Sequence, residues 1–324
     1  MAKSTRNKIL KIIKDLNYQP NILASTLASK KSATFATLFP QPPSAGGYWD
    51  KPVIGVNKRI SELSQYGIDL KPFTFSQTEP ASFVDTSNEI LRIVPDGVVF
   101  APFFKKESNV FIHHLKKLNI PFVFIDSEIK NAGQVGYVGQ NSYQSGLVSG
   151  KLLDYLLPQG NILVIHFAKE MDNQNHLVQR EKGFYDWYLK NNQNKHRLYT
   201  VEVPDTGNEN WMEDLKEKVQ NNNIKGIFVT NSKVFHVGQL IKKYRLYDLK
   251  VIGHDLLKEN VRYLENEIVH FLICQRPEEQ GYSAINKLFR HVVQKKVIAK
   301  KNYTSIDIIT KENVHYYKEY EYNL

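Results

Sequence analysis

Among 324 residues, a small set of planar polar side chains stands out for the chemistry its groups can do: Asp126, Asn141, Asn231, Asp255, Gln275 and Arg180. Amides and carboxylates donate and accept in pairs, and a guanidinium donates through a rigid fork. Together they suit a ligand rich in hydroxyls. The stretch Pro40 to Trp49 adds aromatic faces, which stack on the C–H face of a sugar ring. Apart from Arg180, which lies in "QREKGFYDWY", each of these residues ends or directly follows a run of strand-like sequence, as in "PFVFID", "QVGYVGQN", "KGIFVTN", "LKVIGHD" and "VHFLICQ". Ala101 to Phe104, Ser127, Gln140, Ser232, His254 and Arg276 share that placement. Strands end in loops, and loops are polar, so no single member is decisive. The coordinated set favours a binding site.

Catalytic and metal chemistries find little support. "GLVSGKL" (146–152) looks like a phosphate loop, but its spacing is wrong and no Ser or Thr follows Lys151. His113 and His114 are adjacent, and the other histidines lack ligand spacing. No nucleophile elbow or pair of catalytic carboxylates is present. The expectation is a binding protein rather than an enzyme, with no cofactor and no metal. Cys274, the single cysteine, lies in the apolar run "IVHFLIC" and reads as a small buried hydrophobe. "NYT" at 302–304 matches a glycosylation sequon.

The elements that must position these groups follow from periodicity. Strands are predicted over 33–39, 68–75, 97–102, 121–126, 134–139, 161–167, 198–203, 225–231, 249–255 and 269–275. Several are apolar with little alternation, as parallel strands covered on both faces must be. Between them, apolar residues recur at helical spacing over 51–65, 80–93, 107–118, 142–156, 175–191, 209–221, 233–244 and 277–294. Repeated βαβ units build parallel sheets with helices on both sides. There are too many strands for one sheet, and "LLPQGN" (156–161) has the punctuation of a crossover. The fold expected is α/β, with two doubly wound lobes whose strand ends face each other across a cleft.

Composition fits a soluble globular protein, with hydrophobic residues at 42% and charged residues at 23%. No apolar run is long enough to span a bilayer and no signal-like region follows Met1, so a cytoplasmic location without membrane contact is expected. The net charge of +10 suits a polyanionic partner. It is concentrated in "KSTRNKILKIIK" and "SKK" near the N-terminus, where Ile9, Ile12, Ile13 and Leu16 line one helical face and Arg6, Lys8, Lys11 and Lys14 the others.

These stretches, in order, resemble the lactose-repressor family of transcription regulators, whose effector domain is like the periplasmic sugar-binding proteins. The resemblance rests on "TRNKILKIIKDLNYQPNILASTLASKKS", "QNSYQSG", "REKGF", "FVTNSKVFHVGQL", "VIGHD", "ICQRPEEQGYSAINKLF" and "DIITKENV". It implies three crossovers between the lobes. Residues 1–20 would be the end of a DNA-binding headpiece and 21–32 a hinge helix. Residues 33–157 with 276–298 would form the N-terminal lobe, and 158–275 with 299–324 the C-terminal lobe.

Carried over by position, the resemblance places Tyr48 and Trp49 against a sugar, with Asp126, Asn141, Arg180, Asn231, Asp255 and Gln275 around it and Trp211 as a second wall. A structural ion pair between Arg180 and Asp255 is the alternative reading of those two residues. In the hinge, Asn21 would cap the helix, Ala24 would permit close approach, Leu27 would wedge a minor groove, and Lys30 and Lys31 would meet phosphates. The helix–turn–helix that should precede "STRNKIL" is missing from this sequence, which points to a longer repressor. The expected protein is a homodimeric, ligand-responsive repressor of operator DNA. A sugar-binding protein serving transport or sensing is the alternative.

Overall fold

The computed structural model describes residues 32–42, 47–168, 175–191, 195–203 and 210–317, with isolated positions between 4 and 15. Ser4, Thr5, Lys8, Lys11, Ile12 and Asp15 are helical and exposed. The hinge residues Asn21, Ala24, Leu27, Lys30 and Lys31 lie outside the described residues.

In the first lobe, β1 (Ala33–Pro40), β2 (Ile68–Phe75), β3 (Gly97–Phe100), β4 (Phe122–Ile125) and β5 (Gly136–Gly139) alternate with α1 (Asp50–Glu62), α2 (Pro80–Ile93) and α3 (Lys105–Lys117). Then α4 (Ser142–Leu156) leads into β6 (Asn161–Phe167), α5 (Asn175–Asn191), β7 (Leu198–Val203), α6 (Trp211–Asn221) and β8 (Ile224–Val229). The chain continues through α7 (Phe235–Tyr244), β9 (Lys250–His254), α8 (Lys258–Glu265), β10 (Phe271–Cys274), α9 (Pro277–Val292), β11 (Lys301–Tyr303) and β12 (Asp307–Ile309).

The strands form two six-stranded sheets, ordered β11-β5-β4-β3-β1-β2 and β12-β10-β9-β8-β6-β7. Every pairing is parallel except β10 with β12. Five consecutive strands therefore repeat one winding in each lobe. The fully buried runs "GVVF", "FVFI" and "GYVG" are interior strands, as their unbroken hydrophobicity dictates. By contrast, β2 contains Pro72, which cannot donate to a ladder, and stands at a sheet edge.

Apolar residues fill both faces of each sheet. Phe35, Val99, Val123, Leu288 and Phe289 pack on one face of the first sheet, and Phe83, Phe100, Phe111 and Phe124 on the other. Ile165, Ile227, Val251 and Leu272 mirror them in the second lobe, backed by Phe184, Phe228 and Tyr188. Cys274 is buried in that core.

The lobes exchange chain at other places than expected. Helix α4 was assigned to the N-terminal lobe, yet it packs along α5 in the second. A Cβ on Gly146 would lie 2.0 Å from the Arg180 carbonyl oxygen, and one on Gly183 would lie 2.0 Å from that of Tyr143. Two glycines thus let the helix backbones touch, and the first crossover falls at Gln140 and Asn141 rather than at 157. Gly55 and Gly281 perform the same service for α1 and α9 in the first lobe. The second crossover lies at Gln275 and Arg276. The third lies at 304–306, because β11 pairs with β5 in the first sheet while β12 pairs with β10 in the second. Residues 299–303 therefore belong with the first lobe.

Candidate functional site

Asp126 follows β4 and Asp255 follows β9, each with φ at 66°. That left-handed conformation is uncommon outside glycine, and aspartate tolerates it better than most residues. Asp126 is 7% exposed and Asp255 is 4% exposed, so each carboxylate needs partners.

Arg180 lies on the inner face of α5, 1% exposed. One terminal nitrogen donates to the Thr230 carbonyl at 2.7 Å and the other to Gln275 Oε1 at 2.9 Å. The Gln275 amide in turn donates to Asp255 Oδ2 at 3.0 Å. Gln275 thus relays between the two, so the direct ion pair raised as an alternative gives way to an amide bridge. Burial pushes the Asp255 carboxyl up to about 7, against the opposing pull of Arg180 and of the Gln275 hydrogen bond. Asp255 Oδ1 and Arg180 Nε have no hydrogen-bond partner among the described residues. Buried groups in that condition are costly, and they recur where a ligand completes a site.

On the opposing lobe the Tyr48 hydroxyl donates to Asp126 Oδ1 at 2.8 Å. Burial, then the Asp126 and Asp255 charges, push that phenol well above its ordinary range. Tyr48 therefore stays a neutral donor and feels carboxylates from both lobes. Trp49 departs from the stacking role expected of it. It is 6% exposed and packs into the first lobe's core, with its ring centroid 6.0 Å from that of Phe39 and 5.1 Å from that of Tyr48. Consecutive side chains at the start of α1 point different ways, so Tyr48 remains at the cleft while Trp49 supports it from beneath.

Trp211 opens α6 with its ring edge-on to Phe167 at 5.7 Å and to His236 at 5.2 Å. The second lobe's aromatic wall is thus a cluster. Asn231 holds its own turn, donating to the Phe167 carbonyl at 2.9 Å and accepting from the Lys233 amide at 3.3 Å. Asn141 caps α4 by accepting from the Gln144 amide at 3.1 Å. These last two carry structural hydrogen bonds where ligand contacts were expected.

Four further residues complete the surroundings: His176 and Thr304, which no motif marks, and His254 and Gln140, which the strand-end reading includes without a role. His176, half-buried in the first turn of α5, is pushed down to about 4 by burial and by the Arg180 and His166 charges, with Asp126 pulling the other way. It is a neutral imidazole close to both Arg180 and Asp126. His254 is fully buried and points into the second lobe, its Nδ1 3.1 Å from the Val229 carbonyl and its Nε2 3.1 Å from Ser145 Oγ. A carbonyl only accepts, so Nδ1 carries the hydrogen and Nε2 accepts from the serine. Gln140 ties the crossovers together, donating to the Cys274 and Ser305 carbonyls. Thr304 donates to the Gln275 carbonyl. No group of three or more metal-ligating side chains occurs among the described residues.

Two lobes of one winding, with carboxylates, amides and a buried arginine between them, agree with what the chain matches. Residues 37–296 match the periplasmic binding protein domain. A crystal structure of a protein assigned as a LacI transcriptional regulator from Bacteroides fragilis superposes with a TM-score of 0.83 at 32% identity, covering 89% of this chain and 100% of that one. The chain belongs to the LacI-type group of the periplasmic-binding-protein domain family. Another family relative is the Bacillus subtilis protein named as the HTH-type transcriptional repressor ExuR, 30% identical over 135 residues. That match spans 40% of this chain and 36% of ExuR's own length. GanP, a glucose-galactose binding protein from Geobacillus stearothermophilus, shares the fold with a TM-score of 0.78 at 21% identity, covering 88% of this chain and 99% of GanP. The carboxyl ends of β4 and β9 approach one another, since the Asp126 and Asp255 that follow them both act on the Tyr48 phenol.

Proposed function

We propose that this chain is the effector-binding part of a DNA-binding transcription regulator of repressor type, with a small neutral sugar-like molecule bound between the lobes. The observation that carries the reading is the buried relay from Arg180 through Gln275 to Asp255. It leaves one carboxylate oxygen and one guanidinium N–H to a ligand. A hydroxyl can satisfy both at once, donating to Asp255 Oδ1 and accepting from Arg180 Nε. Tyr48 and Asp126 supply a second donor and acceptor from the opposite lobe, and the Phe167, Trp211 and His236 cluster an aromatic wall. Names of relatives support the two halves of the reading separately, a repressor in ExuR and a sugar binder in GanP.

Ligand held by both lobes favours their approach about the three crossovers, and in a homodimer on operator DNA that shift changes how the N-terminal segments are presented. The Leu27 wedge and the Lys30 and Lys31 phosphate contacts belong to this proposal. So does a cytoplasmic location; no helix among the described residues is long and apolar enough to cross a membrane. Binding rather than turnover is the activity.

The test is a thermal-shift screen of monosaccharides, sugar phosphates and purines. A true ligand at a hundredfold excess over its dissociation constant stabilises by about 2.7 kcal/mol. The shift is expected to vanish in Arg180→Ala and Asp255→Asn. An unchanged shift in both variants overturns the site. Tight sugar binding with no ligand-dependent change in operator binding by the full-length protein overturns the regulatory half and leaves solute capture.

A further inference from the structure

At the end of the second lobe far from the cleft, β6, β7 and β8 begin side by side. Gln159, Asn161, Lys195, His196, Arg197 and Asn223 border an open surface cleft of about 520 Å³ there. Small-molecule sites commonly span roughly 300–1,000 Å³. The described border is polar throughout and holds two cations, Lys195 and Arg197, and three amides, Gln159, Asn161 and Asn223.

The surrounding backbone is fixed rather than casual. Gly160 has φ at 142°, a conformation essentially confined to glycine, and a Cβ there would lie 2.9 Å from Lys225 Cβ. A third cation therefore starts at the rim. The β6–β8 register shifts between Asn161 and Ile162, a bulge that re-aims Asn161, whose amide donates to the Asn222 carbonyl at 2.6 Å. His196 has a side chain only 1% exposed, held between the Gly160 carbonyl at 3.0 Å and Asp154 Oδ1 at 3.2 Å. His196 thereby ties this end of the lobe to Asp154 of α4.

We infer that this surface cleft is a second ligand site, separate from the cleft between the lobes, for a small phosphorylated compound. Guanidinium and ammonium groups bind phosphate oxygens through short charge-assisted hydrogen bonds, and amides complete a shell that an apolar ligand could not use. A direct line joins the two sites. Helix α4 runs 15 residues from the crossover at Asn141 to the turn that holds Asp154, roughly 22 Å at 1.5 Å per residue.

Inorganic pyrophosphate is the probe, titrated calorimetrically into the whole chain at constant ionic strength. Saturable one-to-one binding is expected, weakened about tenfold or more in Lys195→Ala/Arg197→Ala, since tenfold corresponds to losing about 1.4 kcal/mol. Both residues are exposed, and an unchanged melting temperature confirms that the variant folds. Asp255→Asn should leave the affinity as it was, and so should the charge-matched Lys105→Ala/Lys117→Ala in the first lobe. No binding at millimolar pyrophosphate, equal weakening in the Lys105/Lys117 variant, or loss in Asp255→Asn would each overturn the site. Tighter binding of citrate than of pyrophosphate would overturn the phosphate assignment.

Discussion

Asp126 and Asp255 stand at the same place in the two lobes. Each follows the fourth strand of its sheet, has φ at 66°, and donates its backbone N–H over 3.0 Å to a carbonyl of the fifth strand, Val138 or Ile273. The correspondence continues along the chain: Gln140 and Gln275 each directly follow a fifth strand, and Gly146 and Gly281 come six residues later at a helix crossing. The partners differ, however. Asp126 accepts from a neutral phenol, whereas Asp255 depends on an amide and the nearby Arg180. The same backbone corner thus presents two carboxylates of unlike character.

Stability should depend on pH in two opposing ways. His176 and His270 are pushed down to about 4 from an ordinary 6.5, chiefly by burial, and burial likewise pushes His254 well below its ordinary range. The unfolded chain takes up those protons first, so their share of stability is complete above 6.5 and is lost as pH falls. Asp255, raised from 3.8 to about 7, acts in reverse: its share is complete below 3.8 and is lost as pH rises through 7. Asp255→Asn removes only the second effect. Melting temperature should therefore climb more steeply with pH in the variant between 4 and 7, the difference amounting to at most about 1.4 kcal/mol per pH unit. Parallel curves for the two proteins would refute the raised carboxyl.

Ligand affinity should follow the same group. A sugar hydroxyl that donates to Asp255 Oδ1 requires the ionised carboxylate, so binding expels a proton near neutrality. Affinity is expected to rise as pH is taken from below to above about 7, and the proton released on binding should make the observed binding enthalpy vary linearly with buffer ionisation enthalpy in calorimetry. A flat profile would place the ligand away from Asp255.

The α4–α5 crossing can be tested without ligand. A methyl at Gly183 would meet a backbone carbonyl at 2.0 Å, and no side chain can swing aside to admit it. Gly183→Ala should destabilise by about 1–3 kcal/mol through overpacking, or about 2–4 °C per kcal/mol for a unit of 150–250 residues. An unshifted melting curve would mean that the helices lie farther apart.

The sequence disclosed most where one short range decides the outcome. Helices 80–93, 142–156 and 175–191 begin and end as their apolar spacing says, and unbroken apolar runs became interior strands. Short or sparsely buried elements gave no such signal. Helix α8 has eight residues, and β11 and β12 have three each; all three depend on neighbours distant in sequence. The lobe to which α4 belongs is hidden for the same reason, since Gly146 matters only against the Arg180 carbonyl of α5. Within the cleft, Arg180, Asp255 and Gln275 could be picked out by type and position, and they do meet. That Gln275 lies between the other two, that Tyr48 reaches Asp126 across 78 residues of sequence, and that His176 stands beside them are facts of packing with no local pattern.

The order in which the chain is made gives the three crossovers a further significance. The first lobe draws Ala284, Ile285, Leu288 and Phe289 of α9 into its core and β11 onto its edge, and these residues leave a ribosome after all five parallel strands of the second lobe. During synthesis the second lobe can close its five parallel strands by Cys274, while the first, begun earlier, waits with one sheet face covered by α1 but not yet by α9. Birth order and completion order are reversed. The nascent first lobe is therefore the stretch most exposed to aggregation and most dependent on chaperones.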